Sequence, residues 1–221
     1  MIEVLFEDNH IIAVNKKSGD IVQGDKTGDA PLSDFVKAYI KKKYNKPGEV
    51  FLGTIHRLDR PTSGVVLYAR TSKALSRMNE QFREKQVQKT YWAIVEKKPP
   101  TESGTLENYL QKNQKQNKSY ITKNKEGKHA ILDYKLLRKL DNFFHLEIKP
   151  KTGRHHQIRI QLATIGCIIK GDLKYGAKRS NKNASIHLLA QKLEFVHPVT
   201  KEDITIVAPA PKENVWDACI K

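Results

Sequence analysis

The stretch His56-Arg57-Leu58-Asp59-Arg60-Pro61-Thr62-Ser63-Gly64 sets one carboxylate between two guanidinium groups at a tight turn. Flanking cations favour the ionised form of an acid, which suits Asp59 to work as an anionic nucleophile or electrostatic stabiliser rather than as a general acid. Pro61 supplies a fixed backbone angle and Gly64 a permissive one, as a sharp loop requires. Neighbouring Asp and Arg residues also occur as surface ion pairs of little energetic value, and these residues alone leave both readings open. Thr62 and Ser63 are expected to satisfy turn backbone rather than to attack a substrate. Serine hydrolysis is disfavoured, because no Ser-His-Asp order with a nucleophile elbow occurs.

A second constellation, Lys151-Thr152-Gly153-Arg154-His155-His156-Gln157-Ile158-Arg159-Ile160-Gln161-Leu162-Ala163, is cationic where the first is anionic. Gly153 breaks the chain, and Ile158, Leu162 and Ile165 then recur at helical spacing, so the segment reads as a turn feeding a helix that carries Arg159. His155-His156 lacks a third ligand at a sensible spacing, and no metal is expected there.

These segments must be held by the elements around them. The apolar runs Val50-Phe51-Leu52 and Gly64-Val65-Val66-Leu67-Tyr68-Ala69 place Asp59 on a loop between two buried strands, where a rigid sheet can present chemistry. Residues 3–15 read as a hairpin turning at Asp8-Asn9, and Gly19 to Gly28 as a loop. Pro31 opens a helix with Leu32, Phe35, Val36, Tyr39 and Ile40 on one face. A second helix, about Ser72 to Lys85, is expected to bury Leu75, Met78 and Phe82. From Lys89 the pattern is strand-rich: Thr90 to Val95, Ile131 to Leu136, and the alternating Phe144, Leu146 and Ile148. Gln111 to Lys128, rich in Lys, Asn and Gln, is expected to be an exposed, mobile loop or a twisted hairpin, and both a grip on phosphates and a merely solvated loop stay open for it. The economical fold class is α+β, a mixed, mainly antiparallel central sheet with flanking helices. No linker separates autonomous domains, so residues 1–221 are expected to form a single domain.

The chain has 221 residues, with 40 Lys+Arg against 24 Asp+Glu and a net charge of +16, a balance that draws in polyanions and above all nucleic acid. Frequent Lys, Asn and Ile leave open a compositional origin for part of that excess. Cys167 and Cys219 are not in a paired-ligand spacing, which disfavours a zinc site or disulfide framework and favours a reducing compartment. The amino terminus lacks a signal-peptide pattern, and no apolar run approaches the roughly 18 residues of a membrane span. A soluble, cytoplasmic protein is expected.

Taken together, the Asp59 loop, the segment Lys89-Thr90-Tyr91-Trp92-Ala93 and the Gly153 to Ala163 junction resemble the signature of the RluA family of RNA pseudouridine synthases. The resemblance extends through Lys170-Gly171-Asp172-Leu173-Lys174-Tyr175-Gly176 and Ala190 to Pro198. It implies the pseudouridine synthase fold with a basic RNA-binding cleft, and isomerisation of uridine in structured ribosomal or transfer RNA without cofactor or metal. Asp59 is then the catalytic carboxylate, as nucleophile, as partner of an oxocarbenium-like centre, or as base toward a ribose proton. Arg159 resembles the residue that pairs with the aspartate. Tyr91 resembles the tyrosine that stacks on uracil and can accept the C5 proton, and Ile158 an apolar wall for the base. Arg57 resembles the residue that fills the space a flipped base leaves, with Arg60 and Arg154 as further RNA contacts. The family often carries an amino-terminal S4 domain; this chain is expected to start directly in the catalytic domain and to act as a stand-alone monomer. Departures fall at His155, where many members have Thr, at Gln161, where many have His, and at Leu188-Leu189-Ala190, where many have Leu-His-Ala. They bear on substrate choice more than on chemistry. The rival readings are a non-catalytic RNA-binding or chaperone protein, which needs no ionised Asp59, and a nuclease or N-glycosidase, which needs clustered carboxylates or releases free uracil.

Overall fold

The computed structural model describes residues 2–24, 28–123 and 126–220. In chain order the elements are β1 (Val4–Glu7), β2 (Ile11–Lys16), α1 (Leu32–Lys43), β3 (Gly53–Thr54), β4 (Ser63–Ala69), α2 (Ser72–Arg83), β5 (Gln88–Val95), β6 (Ser103–Asn113), β7 (Lys118–Thr122), β8 (Lys128–Lys139), β9 (Phe144–Pro150), α3 (Gln157–Thr164), a 3-10 turn (Leu173–Tyr175), β10 (Leu188–Val196), β11 (Asp203–Val207) and α4 (Asn214–Ile220). This is the expected α+β class. The chain forms two compact units, one of residues 1–88 and 190–209, the other of residues 89–189 and 210–221.

In the first unit the strand order is β1-β2-β4-β10, with β3 also on β4 and β11 on β10. The β1–β2 hairpin forms as its two apolar runs around Asp8-Asn9 predict, and the Asp8 carboxylate accepts from the His10 and Ile11 N–H groups, each at 2.7 Å, and closes the turn. α1 begins after Pro31 and buries Leu32, Val36 and Ile40, a stripe at four-residue spacing that packs on Ile12, Val14, Val66 and Tyr68. Phe35, expected on that face, is 55% exposed because this narrower stripe is the one turned inward. α2 is capped by Thr71, whose hydroxyl accepts from the Ala74 N–H, and it buries Ala74, Met78 and Gln81. Leu75 and Phe82 are only half-buried, and the helix stops at Arg83, short of the expected Lys85, which adopts φ +58°. Val50 to Leu52 is not a strand: pairing starts at Gly53, and Phe51 is 49% exposed. The expected loop from Gly19 to Gly28 is irregular where described, and residues 25–27 lie outside the described residues.

In the second unit the order is β5-β9-β8-β6-β7, and the β5–β9, β9–β8, β8–β6 and β6–β7 pairings are antiparallel. Its core joins Ala93, Val95, Leu132, Leu146 and Ile148 of the strands to Ile158 and Leu162 of α3, so the period-2 and period-3.6 stripes read from sequence meet each other. The Lys-rich segment after Gln111 is a hairpin, with Asn117 at φ +45° in its turn; residues 124–125 lie outside the described residues. α4 was not expected. It buries Trp216, whose ring stacks on His187 at 5.5 Å and meets His145 edge-on at 6.2 Å. Among the described residues, no helix is long and apolar enough to cross a membrane.

Candidate active site

In the first unit, β3 and β4 present residues 55–62 as the expected loop. Thr62 N–H donates to the Asp59 carbonyl at 3.0 Å and closes a tight turn through Arg60 and Pro61. The Thr62 hydroxyl does not serve the turn; it is buried with no hydrogen-bond partner among the described residues. A buried cation holds the turn from below. Lys16, at the end of β2, donates from Nζ to the carbonyls of Thr62 (2.7 Å), Arg60 (2.9 Å) and Lys17 (3.0 Å). Burial pushes its pKa down to about 8; Asp20 and Asp59 act to raise it and Arg60 to lower it. Ser18 Oγ donates to the Pro61 carbonyl at 3.1 Å, and Gly19 N–H to that of Arg60 at 2.9 Å. Asp59 therefore sits, half-buried, on a turn whose carbonyls are held by β2 and the residues that follow it.

The loop's remaining residues face different neighbours. His56 accepts the Leu67 N–H at Nε2 (3.1 Å) and stacks on Phe82 at 5.2 Å, which fixes the loop's entry and makes this histidine structural. Gly64 has φ +115°, and a Cβ there would lie 2.2 Å from the Ala190 carbonyl oxygen, so this position admits no side chain. Arg57 is exposed, and Arg60 pairs with Asp29 at 2.8 Å with both side chains about half exposed.

In the second unit, α3 carries Arg159, 5% exposed, in a bidentate pair with Asp172, 1% exposed: Nε to Oδ2 and Nη2 to Oδ1, both 2.7 Å. The guanidinium also lies over the Tyr175 ring, 5.2 Å from its centroid. The segment that feeds α3 is tied down at several points. Gln157 Oε1 accepts from Thr152 Oγ1 and Arg154 N–H, while its Nε2 donates to the Ile131 carbonyl. His156 adopts φ +54° at the helix start, and its Nδ1 lies 2.9 Å from the Tyr175 hydroxyl. Burial, then the Arg159 charge, push the His156 pKa down to about 2, so the ring is neutral. The Tyr175 hydroxyl also accepts the Ser119 N–H, and Ser119 Oγ lies 2.8 Å from His155 Nδ1, so strand β7 is latched to the same segment. Gln161 Nε2 donates to the Leu106 and Ala130 carbonyls, a structural role for one of the departures noted above.

Tyr91 is half-buried on β5, opposite Ile148 of β9, and packs against the unit's core. Ile158 is buried in that core, and exposed Arg154 is anchored through Nε to the His129 carbonyl at 2.8 Å. Thus the first unit holds Asp59, Arg57 and Arg60, and the second holds Tyr91, Arg154, Ile158 and Arg159. Sequence reasoning missed Lys16 and the roles of Asp172, Tyr175 and Ser119. A lysine closing the apolar strand Ile11 to Val14 was the available signal for Lys16.

Residues 10–164, a span that takes in both Asp59 and Arg159, match the family model described as RNA pseudouridylate synthase. The chain belongs to that family. Among relatives of this RNA pseudouridylate synthase family member, ribosomal large subunit pseudouridine synthase C of Buchnera aphidicola subsp. Schizaphis graminum is 36% identical over 214 residues, covering 93% of this chain and 66% of the relative. The protein of the same name from Vibrio cholerae is 32% identical over 212 residues, covering 93% and 65%. The chain thus spans just under two thirds of the length of these curated relatives. The solved structure of human RNA pseudouridylate synthase domain containing 4 superposes with a TM-score of 0.79 at 25% identity, covering 95% of this chain and 89% of that one.

Proposed function

We propose that this protein isomerises uridine to pseudouridine in structured RNA, with ribosomal RNA the first candidate because relatives carry that substrate in their names. The observation that carries the reading is the family match across a segment in which the loop of Asp59 is held by a buried lysine and Arg159 by a buried carboxylate. The reaction breaks the bond between N1 and the ribose C1′, turns the uracil, joins C5 to C1′ and releases the C5 proton. Nothing is oxidised and no group is carried in, so side chains suffice. Asp59 supplies the carboxylate that acts on the sugar. Arg159 supplies a fixed positive charge, and bidentate anchoring means it loses no side-chain freedom when substrate binds. Tyr91 offers a ring for uracil to stack on and a phenol for the C5 proton, and Ile158 offers apolar surface to the base. The target must leave its stack, and Arg57 is suited to fill the space behind it, with Arg60 and Arg154 binding backbone.

The +16 charge supports a basic RNA-binding cleft, and in this reading residues 1–221 act as one catalytic domain, as a cytoplasmic monomer without cofactor. The test is pseudouridine mapping by carbodiimide adduct stops in total RNA from cells lacking the protein, restored with wild type or Asp59→Ala. Loss of one site, restored by wild type alone, is expected. If every site persists in the deletion and purified protein fails on transcripts of candidate RNAs, the synthase reading falls and a non-catalytic RNA-binding role replaces it.

A further inference from the structure

We propose that Lys89 binds a phosphate of the substrate strand beside the base that Tyr91 handles. The inference rests on the RNA-modifying reading above and adds to it a backbone contact.

Residues two apart on a strand share a face and lie roughly 7 Å from each other, so Lys89 and Tyr91 stand in one row on β5. Thr90, between them, is buried on the opposite face. The row continues inward through Ala93 and Val95, both in the core of the second unit, which leaves Lys89 at its outer end. Its ammonium faces the segment that leads into α3: Nζ lies 3.7 Å from where a Cβ on Gly153 would stand. With no side chain at that position, the approach to the ammonium is open on that side.

Lys89 is half-buried, and among the described residues its Nζ has neither a hydrogen-bond acceptor nor a counter-ion. Burial lowers its pKa, with no neighbouring carboxylate to offset that effect. Lys16, the other lysine that burial holds low, has three carbonyls as acceptors, and several more exposed lysines have carboxylates, as Lys43 has Glu7 and Lys151 has Asp133. A partly desolvated ammonium without a partner costs stability and is kept where a ligand supplies the anion. Arg154, next to Gly153, is exposed and fixed through Nε, so a second cation stands at the same bend. A polyanion with phosphates at regular spacing satisfies both.

The experiment measures equilibrium binding of a fluorescein-labelled RNA stem-loop carrying a target uridine, across a KCl series, for wild type, Lys89→Met and Lys89→Arg, with a thermal melt of each. Lys89→Met keeps the stem and loses the charge. It is expected to weaken binding about tenfold at low salt and to lower the log–log salt slope by about 0.7 to 0.9, the share of one phosphate contact, with an unchanged or raised melting temperature. Lys89→Arg keeps the slope, and retains affinity at alkaline pH where wild type loses it. A Lys89→Met protein with the wild-type slope overturns the proposal, and a lowered melting temperature with that slope would make Lys89 a packing residue. Failure of wild type itself to bind the RNA would instead overturn the RNA reading, and this one with it.

Discussion

Removing the Asp172 carboxylate tests whether Arg159 depends on it. The pair is bidentate at 2.7 Å and both side chains are almost fully buried, so the discount for solvent-screened surface pairs does not apply. Asp172→Ala takes a bidentate anionic partner from a buried guanidinium, a change that costs about 3–5 kcal/mol. For a chain of this length each kcal/mol moves the melting temperature by about 2–4 °C, so a drop of about 6–20 °C is expected by circular dichroism or calorimetry. Asp172→Asn keeps the shape and loses the charge, and costs about 1.5–3 kcal/mol. Paired replacement, Asp172→Leu with Arg159→Met, removes both charges and should restore much of the stability, since buried ion pairs exchange for apolar groups at little cost. Activity should not follow stability. Measured as tritium release from RNA carrying 5-tritiated uridine, turnover should fall about 10²-fold or more in Asp172→Asn from loss of positioning, and stay lost in the paired variant. A melting shift under about 2 °C for Asp172→Ala, or recovery of turnover in the paired variant, would refute the reasoning.

Other consequences are as direct. Gly64→Ala must place a Cβ 2.2 Å from the Ala190 carbonyl oxygen at φ +115°, and should cost on the order of 4 kcal/mol or abolish soluble expression; a urea midpoint near wild type would contradict it. Lys16→Met strips the lysine donor from the Thr62 carbonyl, about 1–3 kcal/mol where it is left unsatisfied, and leaves the Arg60 and Lys17 carbonyls only the Gly19 and Asp20 N–H groups; by hydrogen exchange the Gly19 and Thr62 amides should open while those of β9 stay protected. His145 and His187 are held neutral by burial with pKa values near 4, and His156 near 2. Their folded values lie below the ordinary histidine range near 6.5, so the unfolded chain takes up protons first. The stability they contribute is complete above about pH 6.5 and is lost as pH falls toward about 4, with the His156 share continuing lower. Calorimetry at pH 5.3 in buffers of different ionisation enthalpy should show an uptake of about three protons from these rings on unfolding, and an uptake near zero would contradict the assignment.

Much of the scaffold was legible in the chain because it follows local periodicity. Short apolar runs marked β2 and β5, the alternation of Phe144, Leu146 and Ile148 marked β9, and Ile158 and Leu162 marked the core face of α3. The errors have local causes as well. Phe35 and Phe82 fall on the apolar face by spacing but outside the narrower stripe that is buried, while Gln81 is accommodated inside because its amide donates to the Val196 carbonyl at 2.8 Å. The strand expected at Val50 was an apolar run whose β-pairing begins only at Gly53.

Motif order identified Asp59, Tyr91 and Arg159 as residues to watch, and the resemblance those motifs carry agrees with the family match. What holds two of them was not legible. Lys16 reaches Thr62 across 46 positions of sequence, Tyr175 meets Ser119 across 56, and Arg159 finds its carboxylate 13 residues on, beyond the end of its helix. By itself, then, the sequence determined many of the strands and helices, the main apolar positions on them, and which side chains have the chemistry. Only the tertiary structure decided which buried polar group answers which. Apolar burial depends on area and tolerates many partners, whereas a desolvated charge or carbonyl needs one partner at one distance, and folding alone brings that partner in.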